Sequence, residues 1–237
     1  MNYSFTGIAY LTLLFASGYL IYRFFQYWRK GKDAISKQVL CFVVFFGLFI
    51  LSNTIGGLFF ANTPSFLVKI IRINAFIQAF IFAVIAYHII YLKFPKISPW
   101  FGFVPILILG LILAILNSIT PYNPFLEPSG AINWGPSSDS LSVWVSVLRL
   151  SLFVITFVPL IIIFLSQFKI SEDPYLKRKS LGMSLLFLFI IVSALFDFFF
   201  ISIFKLGAIW RDIVFIICSA TLLITLILTL PPSSSKL

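Results

Sequence analysis

Seven apolar stretches recur along the chain, separated by short polar links, and each is long enough to cross a hydrocarbon layer as a helix. A span needs about 20 residues at a rise of 1.5 Å per residue. The pattern predicts helices near Phe5–Phe25, Val39–Ala61, Ile73–Leu92, Trp100–Ser118, Val143–Ser166, Gly182–Phe204 and Asp212–Leu230. The third is the least sharply bounded, because Lys69 and Arg72 interrupt the run "FLVKIIRINAF" at its start. The expected fold is all-α, a polytopic membrane bundle of seven transmembrane helices forming a single domain over residues 1–237.

Polar links alternate between the two ends of such a bundle, so the basic residues orient it. The first apolar run is followed, not preceded, by "RKGK", which argues against a cleaved leader and for an N-terminus outside. Arg23, Arg29, Lys30, Lys32, Lys37, Lys93, Lys96, Lys169, Lys177, Arg178, Lys179 and Lys236 then fall on the inner side. Lys69, Arg72, Arg149, Lys205 and Arg211 fall on the outer side or outer half. Basic residues concentrate inside, so the expected orientation is N-terminus outside and C-terminus inside. The link Ile119–Leu141, "ITPYNPFLEPSGAINWGPSSDSL", is the one sizeable segment outside the spans, and its charges, Glu127 and Asp139, are acidic. It is expected either to fold over the outer mouth as a lid, with Trp134 at the headgroup level, or to serve as a passive connector.

Composition agrees with the pattern. Of 237 residues, 61% are hydrophobic and 10% charged, with a mean hydropathy of +1.09. Soluble domains carry about a quarter charged residues, so the expected setting is a bacterial or archaeal cytoplasmic membrane with lipid as the constant partner. The net charge of +10 is spread through the short links, where anionic headgroups account for it and nucleic acid does not. The 30 Phe residues read as lipid-facing and interhelical packing. Cys41 and Cys218 fall at different depths and are expected to be packed free thiols.

Candidate chemistry is sparse. His88, beside Tyr87 and Tyr91, is the sole histidine, which excludes a bis-His haem or a multi-His metal site within one chain. The seventh run, "RDIVFIICSATLLITLILTL", has no lysine for a retinal Schiff base. No nucleophile elbow, zinc-protease helix or phosphate-binding loop is present. No cofactor and no enzymatic activity are expected.

Two charges inside the spans stand out. Asp197 lies within "SALFDFFF" and Arg149 within "SVLRLSLF". Helix rise puts Asp197 about 6 Å and Arg149 about 7–8 Å to the outer side of their span midpoints, so their opposite charges share a depth on consecutive antiparallel helices. A charge in mid-bilayer costs ~2.5–3.5 kcal/mol and needs a partner or water. Asn53, Asn74, Gln78, Arg211 and Asp212 fall in the same outer half, and the inner halves have little to match them. Two readings follow: a structural Arg149–Asp197 clamp, or an outward-facing polar pocket tuned by that pair and able to hold a small ligand. In "LSNTIGGLFF" the small residues around Asn53 predict close helix approach.

Seven helices over the whole chain, N outside and C inside, with the longest outer loop between the fourth and fifth, resemble the seven-transmembrane sensor region of bacterial histidine kinases. In that family the last helix continues into cytoplasmic signalling modules. Here the sequence stops at "LTLPPSSSKL", so the resemblance implies a separate cytoplasmic signalling partner. The functional expectation is a sensor-like or ligand-binding membrane protein. The alternatives are a small transporter or channel, and a scaffold subunit of a membrane complex.

Overall fold

Every apolar run folds as a helix, and several continue past the ends that hydropathy alone predicts. The computed structural model describes residues 3–31, 34–135, 140–199 and 206–229; Lys32, Asp139, Lys205 and Lys236 lie outside these. The helices are α1 (Phe5–Gly31), α2 (Ala34–Phe59), α3 (Pro64–Lys93), α4 (Trp100–Ile119), α5 (Ser140–Ile170), α6 (Pro174–Phe196) and α7 (Ala208–Thr229). Six of them, α1 to α6, are long and apolar enough to cross a membrane. The chain is therefore a helical membrane bundle, its outer faces covered by side chains such as Phe15, Phe101 and Trp144.

The extensions have local causes. Helix α3 starts at Pro64, nine residues before its predicted start. Proline suits a first turn because its missing N–H would have no intrahelical partner there. Lys69 and Arg72 thus lie within the helix, on its exposed face. Helix α6, predicted over Gly182–Phe204, also starts early, and residues 200–204 of that prediction lie outside the described residues. It begins at Pro174, where the Lys177 N–H donates to Asp173 O at 2.9 Å, and its α-helical part ends at Phe196. Residues 197–199 form a wider π turn, a geometry that often re-aims side chains at functional sites. Asp197 therefore opens this turn, near the end of the described part of the apolar span Leu176–Phe199.

The helices pack in an almost sequential ring. Helix α1 lies against α2 and α7, α2 against α3, α3 against α5, α5 against α6, and α6 against α7. Helix α4 stands outside this ring, packed mainly on α3. The starts of α1, α3, α5 and α7 and the ends of the even helices meet at one end of the bundle. The opposite end carries Arg29, Lys37, Lys93, Lys96, Lys169, Lys177, Arg178 and Lys179. We call these the hairpin end and the basic end, because the link after α4 forms a small β-hairpin, β1 (Phe125–Leu126) with β2 (Ile132–Asn133). The pairing is antiparallel, Phe125 opposite Asn133 and Leu126 opposite Ile132. Gly130 turns the chain between them at φ 80°, a value a side chain disfavours.

Phenylalanine fills the middle of the ring. Phe42 of α2, Phe82 of α3, Phe157 of α5 and Phe187 of α6 are buried. Their rings meet at centroid distances of 5.5 Å (Phe42–Phe187), 5.8 Å (Phe157–Phe187) and 6.5 Å (Phe82–Phe157). Tilted and edge-on contacts of this kind are favourable beyond the area they bury.

At the hairpin end α1 and α2 cross backbone to backbone. A methyl group on Gly57 would lie 2.5 Å from Gly7 Cα, a distance no side chain can relax. The expected effect of Gly57→Ala is a loss of about 1–3 kcal/mol, the usual cost of overpacking, read as a lower melting temperature in detergent. Gly18→Ala is the control. Nothing lies within 4 Å of a methyl group there, so this change should leave stability unchanged or raise it slightly through helix propensity.

Candidate functional site

Ser4 and Thr6 begin the site, because the first turn of α1 is held by side chains. Ser4 Oγ accepts from the Gly7 N–H at 2.9 Å, as an N-cap does, and donates to Gly57 O at 2.6 Å. Thr6 faces α7. Its Oγ1 donates to Asp212 Oδ2 at 2.5 Å and accepts from the Ile132 N–H at 2.6 Å. Arg211 completes the knot, donating from Nε (2.9 Å) and Nη2 (2.7 Å) to Asp212 Oδ1 and from Nη2 to Ile132 O at 2.9 Å. Thr6, Arg211 and Asp212 are all at most 2% exposed. The β-hairpin is thus bonded to both ends of the ring, α1 and α7.

Glu127 adds a second tie. Its two carboxylate oxygens accept from the Ala208 N–H, the first of α7, at 3.2 and 3.1 Å, and Oε1 also accepts from Asn133 Nδ2 at 3.1 Å. An anion at a helix N-terminus satisfies an orphan donor and the helix dipole together. The link between α4 and α5 is therefore a bonded cap over the hairpin end. Trp134, expected at the headgroup level, is partly buried and packs beside Ala61, Leu67 and Ile132.

Beneath the cap lies a cavity of about 280 Å³, just under the usual range for ligand pockets, ~300–1,000 Å³. Every helix of the ring lines it and α4 does not. Six of the seven polar residues singled out in the sequence face it: Asn53, Asn74, Gln78, Arg149, Asp197 and Arg211. Asp212 lies behind Arg211, turned toward Thr6. The aromatic residues Phe82, Phe153 and Phe157 form the floor toward the basic end, and Tyr122 and Trp134 come from the capping link.

The pairing predicted for these charges is not the one formed. Among the described residues the salt bridge joins Arg211 to Asp212, at 2.7 Å; Arg149 and Asp197 share the cavity without a direct ion pair. Arg149 instead donates from Nη2 to Asn117 Oδ1 at 2.8 Å, an oxygen that the Tyr122 hydroxyl also reaches. Equal depth does not fix the rotation of two helices about their axes, and α6 widens at Asp197. Asp197 interacts with other groups and lies within Coulombic range of Arg211.

Hydrogen bonding divides the lining residues into two sets. Asn53 and Asn74 bond each other, Asn74 Nδ2 to Asn53 Oδ1 at 2.9 Å; Asn53 Nδ2 also donates to Phe49 O at 2.9 Å, and Asn74 Oδ1 is held by Ser52. They staple α2 to α3. Tyr10, Gln78, Ser146 and Ser193 make no side-chain hydrogen bond among the described residues. The buried Nε of Arg149 has no acceptor there either. Sequence reasoning missed Tyr10, Tyr122 and Thr6, since aromatic and hydroxyl residues in an apolar run carry no distinguishing signal.

The other sequence candidates lie elsewhere. His88 is buried near the basic end, where its Nδ1 meets Gln38 Oε1 at 3.0 Å, a packing contact between α3 and α2. Cys41 and Cys218 are both free. Cys41 is exposed on α2 instead of packed, and Cys218 lines the cavity. Comparison with known proteins finds no matching family and no matching curated protein.

The polar knot predicts an energetic coupling. Removing one member of a buried pair typically costs ~3–5 kcal/mol, because the other is left uncompensated. Asp212→Leu or Arg211→Leu alone should lower the melting temperature markedly. The double change should cost well under the sum, a coupling that a four-variant thermal series in detergent reads directly.

Proposed function

We propose that the chain is a sensor-like, ligand-binding membrane protein that receives a small molecule in the cavity beneath the hairpin cap. The observation that carries this reading is the set of uncommitted donors and acceptors, on α1, α3, α5 and α6, facing one cavity above an apolar floor. A packing-only interior bonds its polar groups to one another, since each buried unpaired group costs about 1–3 kcal/mol. Asn53 and Asn74 meet that expectation; the buried Nε of Arg149 does not, and Gln78 and Ser146 face the cavity unbonded among the described residues.

A transporter needs polar groups along the whole path. Here the buried rings of Phe42, Phe82, Phe157 and Phe187 stand between the cavity and the basic end, which favours binding over passage. The resemblance to histidine-kinase sensor regions supports a signalling output through a separate partner at the basic end. The proposed orientation has seven spans, with the hairpin end outside and the basic residues inside, as the positive-inside rule favours.

Two measurements test this. With Cys41 and Cys218 both replaced by Ala, a cysteine at Ser129 should label with an impermeant thiol reagent in intact cells and one at Lys96 should not. The reverse pattern inverts the orientation. With Cys41 alone replaced, Cys218 should react with methyl methanethiosulfonate in lipid nanodiscs, and Ala194→Trp, which fills the cavity from α6, should slow that reaction. An unreactive Cys218 sinks the cavity reading.

A further inference from the structure

We infer that the cavity's ligand is an amphiphilic monocarboxylate, its carboxylate on Arg149 and its hydrocarbon body against the phenylalanine floor. The inference rests on the ligand-binding reading above and adds the chemical class.

It begins with the two guanidinium groups. Both Arg149 and Arg211 line the cavity, but they are differently occupied. Arg211 gives Nε and Nη2 to Asp212 and Nη2 to the Ile132 carbonyl, so its charge is matched by a carboxylate at 2.7 Å. The acceptor of Arg149 is the neutral amide oxygen of Asn117, and among the described residues its buried Nε–H has none. A guanidinium carries five donors and cannot shed its proton. A ligand that brings an acceptor to the cavity face of Arg149 therefore meets a guanidinium with donors to spare, and a charged acceptor forms the stronger hydrogen bond.

The surroundings narrow the anion. A carboxylate matches the planar guanidinium fork with its two oxygens, and one negative charge balances Arg149, the cavity-lining arginine that has no carboxylate partner among the described residues. A phosphate dianion would need a second free cation, and Arg211 is committed. Ser146, one helical turn before Arg149 on α5, and Gln78 of α3 also line the cavity with side chains unbonded among the described residues, so hydroxyl and amide donors lie in the same chamber. Asp197 interacts with other groups.

The rest of the wall sets the other half of the molecule. Phe46, Phe49, Phe82, Phe153, Phe157 and Phe215 line the cavity and offer no hydrogen bond to a polar tail. A volume of about 280 Å³, near the lower end of the range for ligand pockets, suits a medium-length chain or a small ring system.

The test uses the Cys41→Ala protein in nanodiscs and reads protection of Cys218 from methyl methanethiosulfonate. Three probes of equal chain length are compared at equal bilayer-bound concentration: decanoate, decanol and decyltrimethylammonium. Decanoate should protect at a concentration about tenfold or more below the other two, the difference one charge-assisted bond supplies. Arg149→Gln, which can still bond Asn117, should abolish that advantage while weak protection by decanol persists. Equal protection by all three probes, or preference for the ammonium, overturns the carboxylate and leaves the cavity reading in place. A reactive Cys218 that no probe protects overturns both. Because the three-probe series needs only the parent protein, a poorly folding Arg149 variant does not remove the test. A second readout comes from Trp134, which lines the cavity. A decanoate brominated close to its carboxylate, which keeps the bromine at the Arg149 end under the cap, should quench a component of fluorescence that Trp134→Phe removes, and unchanged quenching in that variant counts against the proposal.

Discussion

Asp212 is fully buried in a setting that excludes water, so each of its oxygens requires a donor. The solution shapes one end of the molecule. One oxygen takes Thr6 of α1, the other takes Arg211, and Arg211 in turn holds the carbonyl of Ile132 in the hairpin. Thr6 closes the circuit by accepting the N–H of the same Ile132. Three segments far apart in sequence are fixed by the need to leave no charge or peptide group unpaired. The ring of helices joins through this knot, the cap is anchored by it, and the cavity exists because the cap is held over the ring.

The helices were legible because a span imposes an apolar run of known length, a strong one-dimensional signal. Their ends were less so: hydropathy falls where Lys69, Arg72 or Lys177 enters, yet the backbone continues as helix. The gathering of polar groups at one end was readable from depth alone, and six of the seven chosen residues face one cavity. Their partners were not readable. Depth is a single coordinate, whereas a hydrogen bond also depends on rotation about each helix axis, and α6 widens at the residue in question. Arg211 and Asp212 are sequence neighbours, a spacing at which helical side chains do not face each other. They meet only because the long arginine folds back along its own helix. The roles of Thr6, Glu127 and Ile132 depend on contacts across the chain, and nothing local announces them.

The two asparagines and the two arginines teach the same distinction. Asn53 and Asn74 look like site residues by type and depth, and they hold α2 to α3. Arg149 and Arg211 are chemically identical, but one is matched by a carboxylate and the other by a neutral amide. In an apolar interior the residue type says little about function; the degree to which its hydrogen-bonding capacity is already met says more.

The adjacency of Arg211 and Asp212 also bears on how the bundle is made. The contact between Thr6 and Asp212 spans 206 residues, so during synthesis α1 exists long before its partner. A lone aspartate or arginine buried at that late stage would carry the full cost of an unpaired charge. Side by side on one helix, the two present a dipole, neutralised before any neighbour is reached. The helix carries no net charge from this pair into the search for its distant partner, and the closure of the ring becomes a docking step between preformed helices.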